Sequence, residues 1–183
     1  MNAFANALLR APPLLITLLW FAPWLEVPFQ EMPRYLRNGV SVGPLTPLSI
    51  ISFVSFLAWN YALYSASRSR TAPALRDRHG SKAFATAIAA FAVYIPLGVL
   101  LYGFEGRPPD ALVAIAGALI AATVLCYFAT IAYAAEAMHK AQKALGQEPE
   151  WHPLLALLFI GIGIWFIYRS IQHLLAQPED PAP

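Results

Sequence analysis

The chain reads as an all-α integral membrane protein, a bundle of four transmembrane helices preceded by a fifth, proline-rich hydrophobic segment. Three observations predict this. Of 183 residues, 58% are hydrophobic and only 12% are charged, against roughly 25% charged in soluble domains. The apolar residues come in long uninterrupted runs that a single small core could not absorb. Finally, the charged residues gather between those runs or toward their ends. The length suits a single domain, residues 1–176, followed by an acidic, proline-rich tail, residues 177–183, that is expected to be disordered.

The first hydrophobic segment, residues 13–29, has a short apolar core punctuated by Pro12, Pro13, Pro23 and Pro28, with Glu26 near its end. It is read as a kinked span, a half-buried segment or an uncleaved signal anchor. Four segments have the roughly 20 apolar residues needed to cross about 30 Å of hydrocarbon. These are residues 47–66, 83–104, 111–145 and 153–175. Pro96 is expected to kink the segment at 83–104. The segment at 111–145 is longer than a membrane requires. It should end at Gly146, a natural helix terminator, with Lys140 and Lys143 in its last turns.

Orientation is read from the basic residues, which are retained on the cytoplasmic side. The loop from Ser67 to Lys82 holds Arg68, Arg70, Arg76, Arg78 and Lys82 and is therefore expected in the cytoplasm, where it fixes topology and meets anionic lipid headgroups. If each segment crosses once, eight basic residues fall inside and four (Arg34, Arg37, Arg107 and Arg169) outside. The C-terminus is then extracytoplasmic. Trp59, Tyr61 and Tyr64 are read as interfacial aromatics at the inner end, and Trp165, Phe166 and Tyr168 at the outer end. The Ala- and Leu-rich composition suggests a bacterial inner membrane.

Small residues predict where helices approach. AFATAIAAFA opens the third segment, and at the same depth the fourth carries Ala129, Ala132, Ala134 and Ala135, while Ala114, Ala118 and Ala122 recur every four residues beside Gly117 and Ala121. These faces should close a tight hairpin between the third and fourth segments. The spacing of Pro47, Leu48, Phe53 and Trp59 recurs at Pro153, Leu154, Phe159 and Trp165. An inverted repeat would have these two helices running in opposite directions.

Candidate chemistry is sparse. Glu136 and His139 have the Glu-x-x-His spacing that binds metal in helical bundles, but the motif occurs once. With His79 and His152 it offers only a loose set of metal-ligand candidates on the cytoplasmic side. Ser49, Ser52, Asn60 and Ser67 share one face of their helix, and Thr123 and Thr130 form a milder stripe. Such faces serve either helix–helix hydrogen bonding or a polar path. The single cysteine, Cys126, excludes an internal disulfide. A net charge of +2 without a basic, aromatic stripe excludes nucleic acid as an expected partner. No phosphate loop, zinc-protease motif or nucleophile elbow is present, and no cofactor is implied.

The sequence thus predicts a small polytopic membrane protein without a catalytic centre, acting as an accessory or assembly subunit or as a homo-oligomer. Its partners are the bilayer, anionic headgroups and other membrane subunits or its own copies. The alternatives are a small permease or channel lined by Ser49, Ser52 and Asn60, and a membrane enzyme using the cytoplasmic His and Glu residues.

Overall fold

A computed structural model of the chain describes residues 3–26, 47–102, 109–148, 153, 157 and 160–177. Six α-helices of seven residues or more are described, with no strand among the described residues: α1 (Ala3–Leu9), α2 (Pro13–Glu26), α3 (Pro47–Ser69), α4 (Gly80–Tyr102), α5 (Asp110–Ala144) and α6 (Ile160–Ala176). A 3-10 turn, Pro73–Leu75, lies in the arginine-rich loop.

Local sequence explains most helix ends. Pro47 opens α3 at a position where a missing N–H costs nothing. Asp77 precedes α4 and accepts hydrogen bonds from the backbone N–H groups of His79 (3.0 Å) and Gly80, donors that an opening helix would leave unpaired. Asp110 in the first turn and Lys143 in the last turn of α5 match its dipole. At the end of α5, Gly146 has φ of +69°. The N–H of Gly146 bonds to Lys143 O (3.1 Å) and that of Gln147 to Gln142 O (2.9 Å), the Schellman arrangement that Gly146 predicts. The 35 residues of α5 span about 52 Å at 1.5 Å per residue. The α4 helix continues through Pro96.

Helix α3 is the hub. Of its apolar window 56% is buried, against 22% in α4 and 11% in α5. It packs on α5 along one face and on α1 and α2 along another, while α4 leans mainly on α5 and α6 mainly on α2. Phe53 stacks on Phe91 with centroids 4.0 Å apart and meets Tyr127 at 5.4 Å. Trp20 meets Phe56 edge-on at 5.1 Å. Toward the loop end, Tyr64 and Tyr61 pack on Phe84. Small residues allow close approach in this half, where Ala62, Ala66, Ala87, Ala134, Ala135 and Ala141 are buried.

Three helices (α3, α4 and α5) are long and apolar enough to cross a membrane. The expectation of four is not met by the described residues. The last segment is described as a 17-residue helix, α6, with Pro153 and Leu157 also helical and buried. In the N-terminal segment α2 has 14 residues, about 21 Å. The short helix α1 was not foreseen. It forms from the apolar run before Arg10 and stops short of Pro12 and Pro13.

Candidate functional site

Helix direction follows from four hydrogen bonds between distant parts of the chain. Gln172 Nε2 donates to Leu9 O (3.1 Å), the Tyr168 hydroxyl to Arg10 O (3.3 Å) and Trp165 Nε1 to Thr17 Oγ1 (3.1 Å). As α2 ascends, its partners on α6 descend, so the two are antiparallel. Ser52 Oγ donates to Leu19 O (2.7 Å), which places the start of α3 beside the later part of α2. Helices α3 and α6 therefore run parallel, and their C-terminal ends meet at Arg70.

That meeting corrects two expectations. The described C-terminal end of the chain lies on the same side as the arginine loop, not opposite it. An inverted repeat relating α3 to α6 is also excluded, because the two run the same way. The premise that failed is that each apolar segment reverses the chain once. Both α5 and α6 end at the arginine-loop side, with most of the stretch between Glu148 and Ile160 outside the described residues.

Arg70 is 3% exposed. Its guanidinium donates to Ala66 O (3.0 Å) in the last turn of α3 and to Gln177 O (3.2 Å) and Leu175 O (3.4 Å) at the end of α6. Each helix end carries carbonyls without intrahelical partners and a partial negative charge. One cation between the two ends satisfies both and offsets their mutual repulsion. The reading of Arg70 as a headgroup contact is thereby corrected, since it is an internal clamp. Arg68 and Arg76 are partly buried, while Arg78 and Lys82 are exposed.

The other basic residues follow the same polarity. Nine of the twelve Lys and Arg residues are described: Arg10, Arg68, Arg70, Arg76, Arg78, Lys82, Lys140, Lys143 and Arg169. All lie toward the arginine-loop end, with Asp77, Glu136 and Glu148. Among the described residues, nine against three leaves six positive charges in excess there. The far end has the described acids Glu26 and Asp110. Arg34, Arg37 and Arg107 lie outside the described residues.

Asp77 accepts more hydrogen bonds than any other described carboxylate of this end. Partial burial pushes its pKa up, but the N–H groups of His79 and Gly80 and the Tyr64 hydroxyl (3.3 Å) outweigh that and hold it below the ordinary carboxylate range. Glu136 and His139 are both exposed on α5, and Glu136 pairs with Lys140 at 2.6 Å. His79 is exposed in the loop, and His152 lies outside the described residues. Among the described residues no three His, Cys, Asp or Glu side chains converge as a metal site would require.

The polar faces turn inward. Ser52, Asn60, Thr123 and Thr130 are all buried. Asn60 Nδ2 donates to Phe56 O (3.0 Å), Thr123 Oγ1 to Leu119 O (2.8 Å) and Thr130 Oγ1 to Tyr127 O (2.7 Å). These are bonds to the preceding turn of the same helix, and only Ser52 reaches another helix. The side chain of Ser49 lies outside the described residues. Trp59 and Tyr64, expected at the headgroup level, are core residues at 3% and 2% exposure. Their neighbour Tyr61 is half exposed.

The far half of α5 differs from all of this. From Asp110 to Phe128 only Ala116 and Thr123 are buried. Helices α4 and α5 do pack as the expected hairpin, through the half where Ala87, Ala134 and Ala135 are buried, whereas Ala114, Gly117, Ala118, Ala121 and Ala122 are exposed and take no part in closing it. A Cβ added to Gly117 would meet nothing within 4 Å. Comparison with known proteins finds no matching family, no matching characterised protein and no matching solved structure.

Proposed function

We propose that this chain is an integral membrane protein that acts as a structural subunit, associating laterally with another membrane helix through the far half of α5. The reading takes α3, α4 and α5 as spans and places the arginine loop and the end of α6 together in the cytoplasm of a bacterial inner membrane. Its support for orientation is the one-sided charge, since basic residues are retained on the cytoplasmic face.

One observation carries the subunit reading: the exposed stripe of Ala114, Ala118 and Ala122. In lipid, helices associate by close packing and not by escape from water, and small residues are what permit it. Among the described residues no helix covers the stripe. A non-catalytic role is supported by the charge pattern, because no Asp, Glu, Lys, Arg or His occurs between Asp110 and Glu136, or from Pro47 to Ser67. Ionisable groups at membrane depth are what pumps and intramembrane enzymes require.

The test is cysteine cross-linking in membranes, with Cys126→Ser as background and Ala114→Cys, Ala118→Cys or Ala122→Cys as probes. A disulfide-linked dimer shows self-association, and a defined adduct with another membrane protein shows an accessory subunit. Monomer alone at all three positions, with the protein folded, overturns the proposal.

A further inference from the structure

At the arginine-loop end a small cavity opens between α3, the loop and the last turns of α5, with room of about 10 Å3, the space of a single water-sized group. Arg68, Arg76 and Lys140 line it, together with Tyr64 and Tyr133. The two carboxylates in the lining are already engaged: Asp77 holds the start of α4, and Glu136 holds Lys140. Arg76 is fixed over the cavity by donating from Nε to Thr71 O at 2.9 Å. Arg68 is half-buried and has no hydrogen bond or ion pair among the described residues. A guanidinium in that setting has donors to offer and, among the described residues, no carboxylate paired with them.

Depth matters as much as charge. The apolar window of α3 runs from Ile50 to Ser69, so Arg68 stands where hydrocarbon gives way to headgroups if α3 spans the bilayer. We propose that this cavity is a phosphate-binding site: one phosphate oxygen enters it, Arg68 is the principal donor, and Arg76 and Lys140 flank the remaining oxygens in the open mouth. The phosphate is that of an anionic phospholipid headgroup or of a soluble phosphate compound. Only the choice between those sources rests on the membrane reading above. Arg70 takes no part, because its donors are directed to Ala66, Leu175 and Gln177.

The test uses the full chain purified in a neutral detergent, with thermal unfolding as readout, since a ligand that binds the folded state raises Tm. Phosphatidylglycerol, phosphatidylcholine and inorganic phosphate are titrated separately. Stabilisation by phosphatidylglycerol but not by phosphatidylcholine or inorganic phosphate supports a lipid source, and stabilisation by inorganic phosphate supports a soluble one. Arg68→Gln with Lys140→Gln is expected to weaken the effective ligand about tenfold or more, the loss of roughly one charge-assisted contact. Arg78→Gln with Lys82→Gln removes the same charge away from the cavity and is expected to leave binding within about twofold. Should the first pair fail to fold, Arg68→Lys, which keeps the charge but loses the fork, is read in its place and should also weaken binding. Equal loss from both pairs, unchanged binding by Arg68→Lys, or no stabilisation by either anion overturns the site. Staying in solution without detergent would instead overturn the membrane reading, while the inorganic phosphate arm would still test the cavity.

Discussion

The Arg70 guanidinium donates from Nε to the carbonyl of Gln177 at 3.2 Å, joining residues 107 positions apart in the chain. This contact sets the polarity of the molecule. It gathers the C-terminal ends of α3 and α6, and the end of α5 lies on the same side, where Lys140 and Arg68 line one cavity. Helix C-termini carry partial negative charge, which gives a physical reason for basic residues to concentrate here.

Arg70→Ala is expected to lower unfolding stability by about 3 kcal/mol, because buried carbonyls on two helices lose a charged donor. The matched control is Arg78→Ala, an exposed loop cation, expected within about 0.5 kcal/mol of the parent. Thermal unfolding in neutral detergent, followed by helical circular dichroism, measures both. Equal stability of the two variants would show that the clamp contributes nothing.

Gly80 is constrained by space. A Cβ there would lie 2.5 Å from Tyr64 Cε2 and 2.6 Å from Asp77 Oδ2, and both side chains are tied to each other by a hydrogen bond. Gly80→Ala should therefore destabilise by about 1–3 kcal/mol, although alanine favours helices in general. A Tm at or above that of the parent would show that Tyr64 and Asp77 yield freely.

Asp77 ties the start of α4 to the loop, and its depressed pKa fixes the sign of a pH effect. A carboxylate held below its unfolded value contributes stability that is present above the unfolded pKa and lost as pH falls through the folded one. Asp77→Ala is expected to cost about 1 kcal/mol at neutral pH. The gap between parent and variant should close as pH falls from about 5 to about 2. Unfolding midpoints across that range check it, and a gap that widens toward acid would reverse the assignment.

How much of this was legible in the sequence depended on whether the signal was local. The Schellman end at Gly146, the long reach of α5 and the opening of α3 at Pro47 all follow from residue types within a few positions. The direction of α6 does not, because hydropathy is the same read either way and only the Arg70, Gln172 and Tyr168 contacts reveal it. Arg70 looked like its neighbours Arg68 and Arg76 for the same reason. Nothing local says that two carbonyl ends will surround one arginine of a cluster. Trp59 and Tyr64 were misplaced because an aromatic near a helix end suits either headgroups or a core.

Ser67 offers a test of the packing reading of the polar face. It is fully buried, and its Oγ has no hydrogen-bond partner among the described residues. An unpaired buried hydroxyl costs about 1–3 kcal/mol, and alanine fills nearly the same volume. Ser67→Ala is expected to hold or raise the Tm, by the equivalent of up to about 1 kcal/mol. A clear loss of stability would mean that the hydroxyl has a partner that matters.

The shared side of the loop and the chain end is open to direct measurement. In a Cys126→Ser background, Arg78→Cys and Gln177→Cys report the arginine-loop end, and Asp110→Cys the far end, where α5 begins. All three positions are exposed, so a membrane-impermeant maleimide should reach each of them from its own side. In intact cells Arg78→Cys and Gln177→Cys should behave alike, labelled only after the membrane is opened, while Asp110→Cys is labelled from outside. The pairing is the decisive quantity, because it holds whichever face is cytoplasmic. Labelling of Gln177→Cys together with Asp110→Cys, and apart from Arg78→Cys, would place the end of α6 across the membrane from Arg70 and break the contact on which the parallel arrangement of α3 and α6 stands.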